Sequence, residues 1–197
     1  RRQYNQVGWV HPGGEGQLVQ TGVVTPLDLI IALVLLMGGW YSASHIAARW
    51  YNARAARSCQ CEVVRSIGNP ASLFLDLNCG GVKLELLINR LPWDNPINLA
   101  ASVVAGRRPY ALVRFKTSRD LGVFDASRSG GGRRVGNYYL VNTSGPREVV
   151  DKALELADSL GVWRVTASNH LVQLLFPYVD CRRVVEASLK FYNSLSL

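Results

Sequence analysis

The longest apolar run in the chain, over residues 29–48, predicts one membrane-spanning helix. This run contains no Asp, Glu, Lys or Arg. A helix of about 20 residues that rises about 1.5 Å per residue reaches about 30 Å, which is the thickness of the hydrocarbon core of a bilayer. Thr25, Pro26 and Asp28 are typical of a helix start, because they suit the cap, the first helical position and the first turn. We therefore expect a transmembrane segment at residues 25–51.

Aromatic and basic residues at the end of this run predict where the helix leaves the membrane. Amphipathic rings and arginines are favoured at the level of the lipid headgroups. The residues predicted to lie at this interface are Trp40, Tyr41, Arg49, Trp50, Tyr51 and Arg54. Glycine, serine and histidine dilute the run after Met37, so a buried core helix in a soluble protein is the alternative. The length, the aromatic flank and the arginines together favour the membrane.

Two features near the N-terminus predict contacts with other proteins. Gly39, Ala43 and Ala47 are spaced four residues apart, so they line one face of the helix. In lipid, such small residues allow a second helix to approach closely, and we expect this face to pack against a partner. Residues 1–24 show no helical or strand period, which predicts an extended tail that is disordered or lies across a partner.

Downstream of the helix, apolar and polar residues alternate as they do in β-strands. The segments 72–77 and 82–88 flank a short turn sequence that contains two glycines, which is a typical hairpin signal. In this hairpin we expect the leucines to face a core, while Asp76 and either Lys83 or Glu85 face solvent.

Further strands and helices complete a predicted α+β domain over residues 52–197. The other expected strands cover residues 59–67, 110–116, 136–141 and 162–167, with 171–176 as a strand or a helical turn, and the expected helices cover 97–105, 144–160 and 180–194. Ser144 and Asp180 are the predicted caps of the last two helices, and residues 118–136 are expected to form one long loop. This order predicts one transmembrane helix followed by a small, antiparallel-biased sheet with helices on one face.

The charge balance narrows the class of partner. With 22 Lys and Arg against 14 Asp and Glu, the net charge of the chain is +8. A basic surface suits nucleic acid, anionic lipid or an acidic protein. The predicted anchor and the lack of interleaved basic and aromatic residues argue against nucleic acid. We therefore expect neighbouring protein subunits as partners, and an anionic lipid such as cardiolipin as a further one.

One glycine-rich segment has the composition of an anion-binding loop. Gly130, Gly131 and Gly132 allow backbone amides to approach an anion, and Arg133 and Arg134 add charged donors. The segment lacks the Lys-Ser/Thr ending of a P-loop and the spacing of a dinucleotide-binding fingerprint. A flexible or interface loop is therefore the favoured interpretation, and an anion-binding loop is the alternative.

The histidines and cysteines do not form a catalytic or metal-binding pattern. The three histidines are far apart in sequence, at His11, His45 and His170, and no nucleophile elbow or HExxH motif occurs. The four cysteines are Cys59, Cys61, Cys79 and Cys181. Their number and spacing favour structural thiols, and a disulfide from Cys59 or Cys61 to Cys79 or a metal site are the alternatives. We expect no enzyme activity and no catalytic, cofactor-binding or metal-binding residues.

These features predict a non-catalytic accessory subunit of a multisubunit organelle membrane complex. The chain starts with Arg1-Arg2 rather than Met, which fits the removal of an import segment, although a truncated sequence would look the same. The expected setting is a respiratory-chain or ATP synthase assembly of the mitochondrial inner membrane, and the positive-inside rule places the domain on the matrix side. A membrane-tethered assembly or protein-translocation factor is the first alternative, and an anchored enzyme or anion-binding domain is the second.

Overall fold

One long helix and a nine-stranded sheet with three further helices make up the described structure. The computed structural model describes residues 25–196, and the predicted tail over residues 1–24 lies outside them. The helices are α1 (Pro26–Ser58), α2 (Pro96–Val104), α3 (Arg147–Ser159) and α4 (Cys181–Ser196). The strands are β1 (Glu62–Gly68), β2 (Ser72–Cys79), β3 (Val82–Asn89), β4 (Tyr110–Lys116), β5 (Val123–Ser127), β6 (Arg133–Val135), β7 (Tyr138–Thr143), β8 (Arg164–Ser168) and β9 (Leu171–Phe176).

The chain divides into two units, and the described part of the first unit is the apolar start of α1, up to Leu36. The large apolar side chains from Leu27 to Leu36 are each at least 49% exposed. Such a surface is unfavourable in water but is what a bilayer accepts. Among the described residues, α1 is the one helix that is long and apolar enough to cross a membrane. Its exposure argues against the alternative of a core helix in a soluble protein.

The second unit begins at Met37, and within it the remainder of α1 packs against the folded domain. Ser44 and Ala48 are only 3% and 2% exposed. On the same side of the helix, the indole nitrogen of Trp40 donates a hydrogen bond to the carbonyl oxygen of Trp93 at 2.9 Å. The ring of Tyr51 meets the ring of Trp93 edge-on, with 6.2 Å between the centroids. The second half of α1 is therefore an element of the domain.

The last turns of α1 are held by side-chain hydrogen bonds and a disulfide. The side-chain oxygen of Asn52 accepts a hydrogen bond from Arg90 at 2.7 Å, and its amide nitrogen donates to the carbonyl of Asn69 at 3.3 Å. Cys59 is bonded to Cys181 at the start of α4, across a sequence separation of 122 residues. The helix thus continues past Tyr51, where we expected the anchor to end, because its last turns are held by the domain.

All nine strands form one antiparallel sheet, as the expected fold class required. The strand order is β1-β2-β3-β4-β9-β8-β5-β7-β6. The predicted hairpin of β2 and β3 is confirmed, with Cys79 opposite Val82. Gly80 and Gly81 between them have φ values of 61° and 91°, which suits the two-residue turn that matches the twist of a hairpin.

A single core lies between one face of the sheet and the helices α3 and α4. Alternate residues of the strands are buried on this face, as the leucine pattern predicted for β2 and β3. The residues that α3 and α4 contribute to the same core cluster are Val149, Val150, Ala153, Leu154, Ala157, Val184, Val185, Ala187, Phe191 and Leu195. The prediction of helices on one face of the sheet is therefore confirmed.

Two local predictions were wrong. The expected loop over residues 118–136 contains β5 and β6, because Phe124 and Ala126 are buried on the core face although the strand around them is short and polar. Ser144 does not cap α3, whose N-cap is Pro146 with no side-chain hydrogen bond. The hydroxyl of Ser144 instead accepts a hydrogen bond from the backbone of Val123 at 3.3 Å.

The cysteines form two disulfides rather than the free structural thiols that their spacing favoured. Cys61 is bonded to Cys79, one of the pairings held open from the sequence, and it joins the start of β1 to the end of β2. Cys59 is bonded to Cys181, a pairing that was not anticipated. Sequence reasoning missed it because the two residues are brought together only when α4 packs beside the end of α1.

We predict that loss of the Cys59–Cys181 disulfide destabilises the domain more than loss of the Cys61–Cys79 disulfide. In the chain-entropy model, closing a loop of 122 residues stabilises the fold by about 5 kcal/mol and closing one of 18 residues by about 3 kcal/mol. Denaturant unfolding of the full chain in mild detergent compares Cys59→Ala/Cys181→Ala with Cys61→Ala/Cys79→Ala. An equal loss of unfolding free energy, or the reverse order, would contradict this assignment.

Candidate functional site

The face of the sheet opposite α3 and α4 is the main candidate for function, and we call it the open face. Its side chains alternate with the buried ones along each strand, and they are half-buried or exposed. An antiparallel sheet can leave one face to solvent, and that face is then expected to be polar. Here it combines polar residues with a row of apolar ones.

The apolar row consists of side chains that lie opposite one another on five neighbouring strands. Its members, in order from β1 to β9, are Ile67, Phe74, Leu87, Leu112 and Leu175. Ile67 at the edge of the sheet is 51% exposed, and the other four are half-buried. Aligned large apolar side chains on an uncovered sheet face are typical of a surface that contacts another molecule.

A polar row runs beside the apolar row, two residues away from it along each of the strands that the two rows share. Its members lie opposite one another on eight strands and are Arg65, Asp76, Glu85, Arg114, Gln173, Thr166, Asp125 and Asn142. Arg114 is 3.5 Å from Glu85 on one side. On the other side it donates to Gln173 at 2.6 Å and 3.1 Å, in the amide orientation that satisfies both residues. The polar row is thus linked across strands.

The strongest ion pair on the open face joins Asp125 of β5 to Arg164 of β8. The Nε atom of Arg164 donates to one oxygen of Asp125 at 2.8 Å, its Nη2 atom donates to the other oxygen, and Thr166 donates a further bond at 3.1 Å. The hydrogen bonds from Arg164 lower the pKa of Asp125 below its ordinary value of 3.8, although partial burial opposes this shift.

A cavity of about 690 Å³ lies where the two rows meet on β4, β9 and β8. Leu112 and Leu175 of the apolar row form part of its lining, with Tyr110 and Trp163 beside them. Its polar lining residues are Arg108, Arg164, Thr166 and Gln173. Aromatic and aliphatic side chains with arginines around them are the composition of protein-binding hot spots.

The residues predicted to lie at the lipid interface are all on the exposed surface of α1. Tyr41, Arg49, Trp50, Tyr51 and Arg54 are exposed, as is Trp40. The guanidinium carbon of Arg54 lies 5.5 Å from the ring centroid of Trp50. Trp40 and Tyr51 both contact Trp93 of the domain.

The small-residue face of α1 is not used by the domain. Gly39 and Ala43 are exposed, and Ala47 is half-buried. The domain instead packs on the neighbouring face, through Ser44 and Ala48. The predicted packing of the small-residue face against a partner helix therefore stays a prediction.

The glycine-rich segment is part of a β-hairpin rather than an open phosphate-binding loop. Arg133 and Arg134 lie in β6, which pairs with β7. Gly132 has a φ of 138°, and a Cβ there would lie 2.5 Å from the carbonyl oxygen of Leu140, so this glycine is required by the close approach of the two strands. Gly130 likewise has a φ of 140°.

The two arginines of this hairpin do line a cavity, but the surrounding charges are mixed. The cavity measures about 310 Å³ and is shared with Arg147 and Asp151, which lie 3.6 Å apart as an ion pair. Arg134 also donates to the carbonyl of Gly136 at 3.2 Å. Gly130 and Gly132 thus have conformational reasons to be glycines, and anion binding by this segment remains the untested alternative.

A larger cavity, of about 770 Å³, lies between the last turns of α1 and the start of α4. Tyr51, Trp93 and Val179 give it apolar walls, and Arg54, Arg90, Arg182 and Asp180 add charge. Partial burial lowers the pKa of Arg90 from its ordinary value, and its bonded partner is the neutral Asn52. Sequence reasoning missed this cavity because its walls come from three distant segments.

Comparisons with protein-family models, with curated proteins and with solved structures found no match to this chain.

We predict that Asp125→Asn destabilises the protein at neutral pH but not in strong acid. The folded-state pKa of Asp125 is lowered, so its stabilising effect is present above the ordinary pKa of 3.8 and is lost as the pH falls below it. The pair is partly exposed, so we expect a loss of about 1 kcal/mol in the free energy of unfolding at pH 7. Denaturant unfolding at pH 7 and near pH 2 measures the difference.

Glu155→Gln serves as the matched control, because Glu155 is an exposed carboxylate on α3. We expect this control to change the unfolding free energy by less than about 0.5 kcal/mol at either pH. A deficit of Asp125→Asn that is the same at both pH values would contradict the role of the ion pair.

Proposed function

We propose that this protein is a non-catalytic accessory subunit of a multisubunit membrane complex. In this proposal α1 anchors the chain in the bilayer, and the open face of the sheet holds a neighbouring subunit. The observation that carries it is the apolar row, which remains uncovered although the core on the opposite face of the same sheet is fully formed. A mitochondrial inner-membrane complex of the respiratory chain or of ATP synthase is the setting we propose.

The two disulfides are relevant to the question of which side of the membrane the folded domain occupies. Structural disulfides persist in oxidising compartments and are rare where thiols are kept reduced. All four cysteines of the chain are paired. We give these disulfides more weight than the positive-inside rule, from which we expected the matrix side. We therefore propose that the domain faces an oxidising compartment, which for an inner mitochondrial membrane is the side away from the matrix.

The geometry of the open face supports a protein as the partner. Its apolar row is flanked by the polar row, which gives an apolar strip bordered by residues that can hydrogen-bond. Trp163, which lies beside the apolar row in the cavity of the open face, is 39% exposed. Tryptophan and arginine in a depression carry a large share of the binding energy of many protein interfaces.

A membrane-tethered assembly or translocation factor would use the same face in a different way. Such a protein holds a client transiently, so its partner would be recovered in less than equal amount. Stoichiometry therefore separates this alternative from a permanent subunit.

We predict that Ile67→Asp and Trp163→Asp, each made as a single substitution, release the chain from its complex. A charge on the apolar contact surface loses the burial of that side chain and is costly to desolvate, so we expect affinity to fall by about tenfold or more. The measurement is native electrophoresis of the tagged full chain after mild-detergent extraction from its own membranes, with mass spectrometry of the co-migrating proteins.

The control is Val141→Asp, because Val141 is 56% exposed on β7, away from the apolar row. It should migrate with the same companions as the unaltered chain. If the unaltered chain itself migrates at its monomer mass with no stoichiometric companion, the accessory-subunit proposal fails.

A further inference from the structure

Helix α2 has its apolar side turned outward. Ile97, Ala100, Ala101 and Val104 follow the spacing of one helix face, and all four are exposed. Val104 is 89% exposed and Ile97 is 71% exposed. The one buried residue of α2 is the polar Ser102. A surface helix in water is expected to bury its apolar face and to expose its polar one. The exposed apolar face of α2 therefore needs an apolar environment outside the domain to cover it.

The helix α2 is nevertheless well formed and fixed at both ends. The side chain of Asn95 caps it by accepting hydrogen bonds from the backbone of Ile97 and Asn98 at 3.0 Å and 3.2 Å. Gly106, with a φ of 66°, follows it and lets the chain turn away. The exposed face is therefore part of a defined element rather than of an irregular loop.

The connection that leads into α2 is held close to α1. The carbonyl oxygen of Trp93, three residues before α2, accepts the hydrogen bond from Trp40. Trp40 lies in the second half of the apolar run of α1 and is one of the residues predicted to lie at the lipid interface. The Nε1 atom of Trp93 also donates to the carbonyl of Pro70 at 2.8 Å, which ties this connection to the domain. The start of α2 is thus held beside the level at which α1 is expected to leave the lipid.

The chain enters and leaves α2 at one end of the neighbouring strands β3 and β4, and this end contacts the second half of α1. The end of β3 at Asn89 lies opposite the start of β4 at Tyr110. Arg90, which follows β3 and precedes α2, donates a hydrogen bond to Asn52 of α1. We call these strand ends, together with the connection from Arg90 to Pro109, the anchor end of the domain. The anchor end carries α2, the ring of Trp93, and basic residues at Arg90 and Arg107.

We propose that α2 is a second membrane contact, which lies in the interface of the bilayer beside α1 with Ile97, Ala100, Ala101 and Val104 turned into the lipid. Short helices with an apolar face, next to tryptophans and arginines, suit the boundary between headgroups and acyl chains. Arg107 is exposed and lies three residues after the end of α2, where it can pair with a lipid phosphate. Asp94, just before the helix, is the one acidic residue of the connection.

This inference rests on the proposed anchoring of α1, and site-directed spin labelling tests the two separately. The four native cysteines are paired, so a single added cysteine is the one thiol that a label can reach. The full chain is labelled without reductant as Val104→Cys, Val34→Cys or Val141→Cys and is placed in lipid nanodiscs that contain anionic phospholipid. Collision with oxygen, which concentrates in lipid, is compared with collision with a water-soluble nickel chelate.

Val34 in the apolar run of α1 is the lipid reference, and Val141 on β7 is the water reference. We expect the oxygen-to-nickel ratio at position 104 to lie severalfold above that at 141 and toward that at 34. A ratio at 104 equal to that at 141, with a lipid-like ratio at 34, overturns the contact by α2 and leaves the anchor in place. A water-like ratio at 34 overturns the anchor and the contact by α2 together.

A third possible result is that α2 contacts a protein rather than lipid. If the label at 104 is immobilised and is reached by neither oxygen nor nickel, then α2 contacts a protein surface such as a second copy of the chain, and the lipid contact is wrong. The unaltered chain, carried through the same labelling, should take up no label.

Discussion

The second half of α1 is held to the folded domain by three kinds of interaction, and the other proposals depend on this attachment. Ser44 and Ala48 are buried against the domain, Asn52 exchanges hydrogen bonds with Arg90 and Asn69, and Cys59 is bonded to Cys181. A hydrophobic helix followed by a flexible linker would leave a soluble domain free to reorient. Here the helix passes into the domain without such a linker, so the anchor end of the domain is fixed relative to the second half of α1.

Apolar side chains remain exposed in two separate places of the domain, and each is assigned a cover by the proposals above. On the open face, the apolar row is aligned by the register of five strands, and a neighbouring subunit would cover it. On α2, the apolar side is turned outward beside the aromatic residues of α1, and lipid would cover it. Both surfaces are costly in water, and both become favourable when a partner or a bilayer removes them from it.

Local patterns in the sequence were enough to predict much of the fold. The hairpin of β2 and β3, the outward Asp76 and the cap of α4 by Asp180 depend on neighbouring residues, and all three are present. The strands β5 and β6 were missed because they are short, contain polar residues and are flanked by glycines. Their pairing partners, rather than their own propensity, make them strands.

The candidate site could not be predicted in the same way. The apolar row depends on the register of strands that are far apart in the chain, such as Leu87 opposite Leu112 and Leu112 opposite Leu175. The partner of Cys59 likewise depends on where α4 packs. The glycine-rich segment was expected to be a loop because its composition gives no sign that β6 pairs with β7. These features depend on tertiary structure, which the pattern of a single sequence predicts only weakly.

The most direct test of this account is the state of the cysteines in the native membrane. The chain is alkylated before extraction, digested with trypsin without reduction and examined by mass spectrometry. Cys59 and Cys61 share the peptide 58–65, so the two disulfides predict one three-peptide species that also contains peptides 66–83 and 165–182 and separates on reduction. Alkylated Cys59 and Cys181 would contradict the attachment of α1 to the domain, and alkylation of all four cysteines would also contradict an oxidising compartment.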